Sequence, residues 1–262
     1  MKAVNFPKSF EGWRLTSRKL LEREVHPSEI LWATSSELGL NFNADEDVQV
    51  APINRNTEYR VPKQFLELAK SVSCHRDPAK WELLYRLLWK LTHGEPHLLK
   101  IGLDCDLIQC QRMIRAIRRD CHKMKAFVRF REIKEPLECS QTRFVAWFEP
   151  QHLIVRRMAP FFTKRFANNH WSILTPDICV HWDQKNLFFT EGVEKTMAPK
   201  TDDFEYLWLT YYKNIFNPAR LKEKAMLSEM SKKYWKNLPE SSLIPELINK
   251  GKRKDVSRDW QF

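Results

Sequence analysis

The spacing of apolar residues changes near Lys123, and this change constrains the fold more than any other feature of the sequence. Before it, apolar residues recur every three or four positions from Leu107 to Cys121, which predicts an amphipathic helix. After it, the residues of 126–131 alternate between two sides, which predicts a strand. One stretch of chain is therefore expected to provide both a helix and a strand of a sheet.

The rest of the sequence predicts further helices around a central sheet. Helices are expected over about 10–24, 62–72, 77–93, 150–166, 204–216 and 219–230, with Ser9 as a cap and Pro160 inside its helix. Short strands are expected at 2–6, 30–33, 143–148, 171–174, 179–182 and 186–190. The predicted fold class is α+β, with a central antiparallel β-sheet flanked by several α-helices.

The distribution of turn-forming residues suggests how the chain divides. Residues 35–60 are polar and rich in Asn, Asp and Pro, so they form a plausible linker. We expect an N-terminal α/β segment with this linker over 1–60, a main α+β domain over 61–250 and a flexible tail over 251–262.

The densest cluster of charge lies between residues 111 and 134, where nine Lys or Arg residues face two acids, Asp120 and Glu132. The formal net charge of the chain is +11. Such a surface attracts a polyanion, and the prediction is nucleic acid, with a solvated helix face as the alternative. The residues predicted to contact nucleic acid here are Arg112, Arg115, Arg118, Arg119, Lys123, Arg129 and Arg131.

A second basic cluster lies near the C-terminus and contains two aromatic residues, Tyr234 and Trp235. If this pair is exposed, it could stack on an unpaired or flipped-out base. The alternative is that the aromatic rings pin the C-terminal helix to the core. The residues predicted to contact nucleic acid here are Arg220, Lys232, Lys233 and Trp235.

Four polar residues near the ends of predicted elements are candidates for catalysis. A reaction of the glycosylase type needs a carboxylate, for which Glu149 and Asp183 are candidates, and an acid or base, for which His122 and His181 are candidates. The alternative is that these carboxylates form caps and turns. The sequence therefore leaves open whether the protein is an enzyme.

Several classes of function find no support in the sequence. The spacing Cys105-x4-Cys110 does not match a zinc or iron–sulfur set, so no metal is expected. The six glycines include no phosphate-binding loop, and no cofactor is expected. No signal peptide or membrane-spanning window is found. We expect a cytoplasmic protein with reduced thiols and no membrane partner.

Several runs of the sequence carry a family resemblance. They include Ile117-Arg118-Arg119-Asp120-Cys121-His122-Lys123-Met124, Phe144-Val145-Ala146-Trp147-Phe148-Glu149-Pro150 and His181-Trp182-Asp183, with others at 74–78, 83–89, 127–132, 171–176, 211–220 and 232–235. The chain resembles a bacterial family described only as a domain of unknown function or a probable DNA metabolism protein. Members of that family occur fused ahead of a uracil-DNA glycosylase-like domain, or beside a radical-SAM protein thought to act on DNA. The resemblance implies a role in DNA repair, and it supplies no catalytic residues.

Three functions follow as hypotheses. The first is a DNA-binding accessory protein of DNA repair, which contacts DNA through its basic face and works with a radical-SAM or uracil-DNA glycosylase-like enzyme. The second is a glycosylase-type enzyme that uses Glu149 or Asp183 with a histidine. The third is a scaffold whose basic face binds an acidic protein.

Overall fold

The structure is a computed structural model that describes residues 2–33, 59–133, 142–197 and most of 232–245. The chain divides into two compact units, Met1–Asp120 and Cys121–Phe262, and the predicted boundary at residue 60 falls within the first. Several predictions lie outside the described residues. They are most of the linker at 35–60, the helices at 204–216 and 219–230, Arg220, and the tail at 251–262.

Two short strands and several helices form the first unit. Strand β1 (Lys2–Asn5) pairs in parallel with β2 (Ile30–Ala33), and helix α1 (Phe10–Glu22) lies between them in sequence. The Ser9 hydroxyl accepts a hydrogen bond from the backbone N–H of Gly12 at 3.0 Å, which confirms the predicted cap. The helices that follow are α2 (Lys63–Val72), α3 (Lys80–Thr92) and α4 (Leu98–Ile101).

Large aromatic rings fill the core of this unit, and hydrogen bonds satisfy the polar atoms of two of them, Trp13 and Tyr85. Trp13 is 1% exposed, and its indole N–H donates to the carbonyl oxygen of Trp81 at 3.1 Å. The Tyr85 hydroxyl, which is also buried, donates to the carbonyl oxygen of Val25 at 2.8 Å. Because each polar atom has a partner, these rings contribute their apolar area without leaving an unpaired group in the core.

Helix α5 (Cys105–Phe127) is longer than predicted, and the strand predicted at 126–131 is wrong. Met113, Ile117 and Met124 are buried at helical spacing, and Phe127 continues the same stripe, so burial favours helix to that point. Strand β3 comprises only Arg131–Ile133. The boundary between the two units falls inside α5, after Asp120.

The second unit is built on a five-stranded sheet in the order β3–β4–β5–β6–β7. Helix α6 (Val155–Arg165) links β4 to β5, and these two strands are parallel, whereas the other neighbours are antiparallel. The α+β class is confirmed, but the sheet is mixed rather than antiparallel because a helical crossover joins β4 to β5. The remaining strands are β4 (Arg143–Trp147), β5 (His170–Leu174), β6 (Ile178–Trp182) and β7 (Leu187–Glu191).

The two faces of this sheet differ in burial. One face is covered by helix, as shown by the rings of Trp171 and Phe162, whose centroids are 6.1 Å apart. The opposite face, here called the open face, carries half-buried or exposed side chains, apart from Cys179, which is buried. One row of the open face crosses all five strands and consists of Arg131, Val145, Ser172, His181 and Phe188.

Candidate nucleic-acid interface

Four arginines of α5 form an exposed cationic surface in the first unit. Arg112, Arg115 and Arg119 are three and four residues apart, so they lie on one face of the helix, and Arg118 borders that face. All four are exposed, and none forms an ion pair within the described part of the chain. We call them the α5 arginines.

The two acids of the basic segment do not oppose this surface. Asp120 is 1% exposed and follows Ile117 by three positions, on the buried side of the helix. Glu132 pairs with Phe144 on the helix-covered face of the sheet, whereas its neighbour Arg131 lies on the open face. The charge of the α5 arginines is therefore not neutralised by the acids that adjoin them in sequence.

The other predicted cations of this segment have partly structural contacts. The Nζ of Lys123 lies 5.8 Å from the centroid of the Tyr234 ring. The Arg129 guanidinium donates to the carbonyl oxygen of Ala126 at 2.6 Å, where it stabilises the C-terminal end of α5. Arg131 is half-buried on the open face.

The C-terminal aromatic pair is not exposed as a pair, which agrees with the alternative that aromatic packing holds the C-terminal helix to the core. Helix α7 (Lys232–Trp235) places Tyr234 at 1% exposure, stacked on Phe127 at 5.4 Å and on Phe148 at 5.3 Å between centroids. Trp235 is half-buried. The side chains of Lys232 and Lys233 lie outside the described residues.

The structure does not bring the four catalytic candidates together. Glu149 follows β4, and Asp183 follows β6, which runs antiparallel to β5 and hence to β4, so the two lie at opposite ends of the sheet. Glu149 accepts a hydrogen bond from the Trp147 indole at 2.9 Å. His122 is exposed on α5.

Asp183 organises the turn between β6 and β7. Its carboxylate accepts hydrogen bonds from the backbone N–H groups of Asn186 and Lys185 and from the Asn186 side chain. These bonds, that from the Asn186 backbone first, lower the pKa of Asp183 below its ordinary value. The carboxylate is therefore ionised near neutral pH, and its role is to stabilise the turn that follows β6.

His181 is fixed on the open face by a hydroxyl at each ring nitrogen. Its Nδ1 is hydrogen-bonded to Ser172 Oγ at 2.8 Å, and its Nε2 to Thr190 Oγ1 at 2.9 Å. Burial lowers the pKa of His181, so the ring is neutral near pH 7. A neutral ring has one donor and one acceptor nitrogen, and the two hydroxyls can serve both.

His181 and Asp183 share a cleft with residues that the sequence pattern alone does not single out. The cleft has a volume of about 110 Å³ and lies where β4 and β5 begin and β6 ends. The sequence does contain a pattern that points to this cleft, because the dipeptide His-Trp occurs at 170–171 and again at 181–182. In the sheet, both Trp side chains lie on the helix-covered face and both His side chains lie on the open face. The additional polar or exposed residues of the cleft are Arg143, His170, Ser172 and Phe188.

The ranges that the structure describes contain no group of three or more His, Cys, Asp or Glu side chains placed to hold a metal ion. Of the helices in the described part of the chain, none combines the length and the apolar character needed to cross a bilayer.

Comparisons with known proteins place the chain in a family. No curated protein and no solved structure matches the chain. One family model matches residues 78–240, which is more than half of the chain and extends from the start of α3 past α7. The chain therefore belongs to the family described as a domain of unknown function, DUF4130.

Proposed function

We propose that this protein binds DNA through the α5 arginines and acts as an accessory factor in DNA repair or metabolism. The observation that carries the proposal is the exposure of Arg112, Arg115, Arg118 and Arg119 on one helix, while the adjacent acid Asp120 is buried. Arg112 and Arg119 are about 10 Å apart along the helix axis. That distance corresponds to about three nucleotides of one strand, so several phosphates can be contacted together.

In this role the chain itself carries out no reaction. Glu149 and Asp183 lie at opposite ends of the sheet, and each already accepts hydrogen bonds from its neighbours. A repair enzyme of the radical-SAM or uracil-DNA glycosylase-like kind is the proposed partner, and it supplies the chemistry. The protein holds DNA by its phosphates, and such contacts do not depend on the base sequence of the DNA.

The test is to replace all four α5 arginines with Gln, which removes the charge and retains helix propensity. Binding of a fluorescein-labelled DNA duplex is measured by anisotropy at about 0.1 M salt. We expect the affinity to fall by at least about tenfold, because the counterion-release contribution of these contacts is lost. The matched control replaces four exposed lysines elsewhere in the first unit with Gln. They are Lys19, Lys63, Lys70 and Lys100.

The two variants carry the same net charge, so their comparison separates a local interface from general attraction. An equal loss of affinity in both would contradict the proposal, as would tight binding that the α5 substitutions leave unchanged. The partner is tested by adding the protein to a uracil-DNA glycosylase acting on uracil-containing duplex. Faster base release with the wild type than with the α5 variant is the expected result.

A further inference from the structure

The cleft where β4 and β5 begin and β6 ends has the size and the lining of a site for a single aromatic ring. Its volume of about 110 Å³ is well below the roughly 300 Å³ at which pockets for larger ligands begin. Its polar lining comes from three strands, with Arg143 from β4, His170 and Ser172 from β5, and His181 from β6. Strands of one sheet position these groups rigidly relative to one another.

An aromatic surface forms one wall of this cleft. The rings of His181 and Phe188 are stacked, with centroids 5.0 Å apart and planes 19° apart. Hydrogen bonds to Ser172 and Thr190 hold the His181 ring in place. Phe188 is 48% exposed, so part of its ring is available to a further planar group. Nucleobases of every kind stack on such rings.

The polar groups around the wall suit a nucleotide. Arg143 is exposed at the rim, where its charge can meet a phosphate. The hydroxyl of Ser172 and the ring of His170 can form hydrogen bonds to a base edge. Asp183 adds an acceptor oxygen beside them, and acceptors suit the amino groups of bases.

A second cleft adjoins the first and shares Phe144 and His170 with it. Its volume is about 460 Å³. Its lining includes one acid, Glu132, and four uncharged polar residues, which are Thr142, Asn168, Asn169 and Gln184. It offers room and hydrogen-bonding groups for the nucleotide next to the one in the first cleft.

From these observations we infer that the cleft beside Phe188 receives one unpaired base of single-stranded DNA, which stacks on the Phe188 ring while Arg143 contacts its phosphate. A paired base is stacked on both sides within the duplex and can enter only after it is flipped out. The inference rests on the proposed DNA-binding function and specifies the strand form that the second unit recognises.

The test uses the whole 262-residue chain with three point variants. Phe188→Ala removes the ring, Phe188→Tyr retains it, and Phe161→Ala truncates an exposed ring of α6 outside the cleft. Affinities for a labelled single strand and for the corresponding blunt duplex are measured at one salt concentration. We expect Phe188→Ala to weaken single-strand binding about tenfold, the loss typical of one stacked base, and to change duplex binding less than about twofold.

A 2-aminopurine base within the single strand reports stacking directly. Its fluorescence should fall on binding to the wild type and to Phe188→Tyr, and should fall much less on binding to Phe188→Ala. If Phe188→Ala binds the single strand like the wild type, or weakens both strand forms equally, the inference is overturned. The proposed function survives that result as long as the α5 variant still loses affinity. Absence of DNA binding by the wild type overturns both.

Discussion

Lys80 places a charged group in the core of the first unit. The residue is 3% exposed, its Nζ donates to the carbonyl oxygen of His75, and its charge lies 4.7 Å from the centroid of the Trp81 ring. Burial is the main cause that lowers the pKa of Lys80 from 10.5 to about 8. The folded protein therefore binds this proton less tightly than the unfolded chain does.

Replacing Lys80 with Met should remove a pH dependence from the stability of the protein. As the pH rises from about 8 to 10.5, the folded protein has released a proton that the unfolded chain still holds. The free energy of unfolding of the wild type should rise by on the order of 2 kcal/mol over this window, relative to Lys80→Met. Chemical denaturation at several pH values measures this difference, and a constant difference would show that Lys80 titrates normally.

His181 should make the second unit less stable in mild acid. Burial lowers its pKa in the folded protein below 6.5, so the unfolded chain takes up the proton first as the pH falls. Stability is lost from about pH 6.5 downwards, through the folded pKa. We expect His181→Gln to lose less stability than the wild type between about pH 7 and pH 5. Equal losses in denaturation experiments would contradict this assignment.

At the scale of elements, an ion network joins α3 to the start of α5. Arg86 donates to Asp106 at 2.7 Å, and Lys90 donates to Asp104 at 2.6 Å and to Asp106 at 3.0 Å. Burial alone would raise the pKa of Asp106, but hydrogen bonds from Arg86 and Lys90 outweigh it, so the pKa is lowered. The network therefore contributes stability above about pH 4, which is lost in stronger acid.

Arg86→Met should cost about 1–2 kcal/mol of unfolding free energy at neutral pH, because Asp106 loses a charged hydrogen-bond partner in a partly exposed network. The control is Arg18→Met, which breaks the pair with Glu22 on the surface of α1. Loss of such an exposed pair should cost about 0.5 kcal/mol or less. Urea denaturation of both variants measures the contrast, and similar losses would show that the network adds no stability.

Helix α7 should depend on Tyr234 for its attachment to the second unit. Because the ring stacks on Phe127 and Phe148 and is almost fully buried, Tyr234→Ala should cost about 3–5 kcal/mol. Tyr234→Phe retains the stacked ring and should cost less than about 1.5 kcal/mol. Thermal denaturation compares the two, and a mild effect of the Ala variant would contradict the packing role.

These elements also show how far the sequence predicts the fold and the candidate site. Local patterns identified most helices and strands, since the periods of α3 and β6 are set by their own residues. The alternation at 126–131 wrongly predicts a strand, because Phe127 fits both a strand pattern and the buried stripe of α5. The cleft cannot be predicted from local patterns, because Arg143, Ser172 and Phe188 meet only through the register of the sheet. That register depends on contacts between residues distant in sequence.

At the scale of the whole molecule, the net charge of +11 can attract DNA without any specific surface. Such attraction is screened over about 10 Å at 0.1 M salt, whereas direct phosphate contacts release counterions. The two contributions differ in how affinity depends on salt. If only the excess charge matters, the affinity for DNA and its salt dependence should change by similar amounts wherever charge is removed. If a specific interface binds DNA, they should change most when charge is removed from that interface.

The slope of log affinity against log salt concentration for a DNA duplex therefore tests where the charge acts. Each phosphate contact adds about 0.9 to the magnitude of this slope, so replacing the four α5 arginines with Gln should reduce it by about 3 if most of them contact phosphate. The variant that replaces Lys19, Lys63, Lys70 and Lys100 should change the slope by less than about 1. Equal slopes for the two variants in anisotropy titrations would mean that DNA responds to the overall charge. In that case the burial of Asp120 away from the α5 arginines has no bearing on binding.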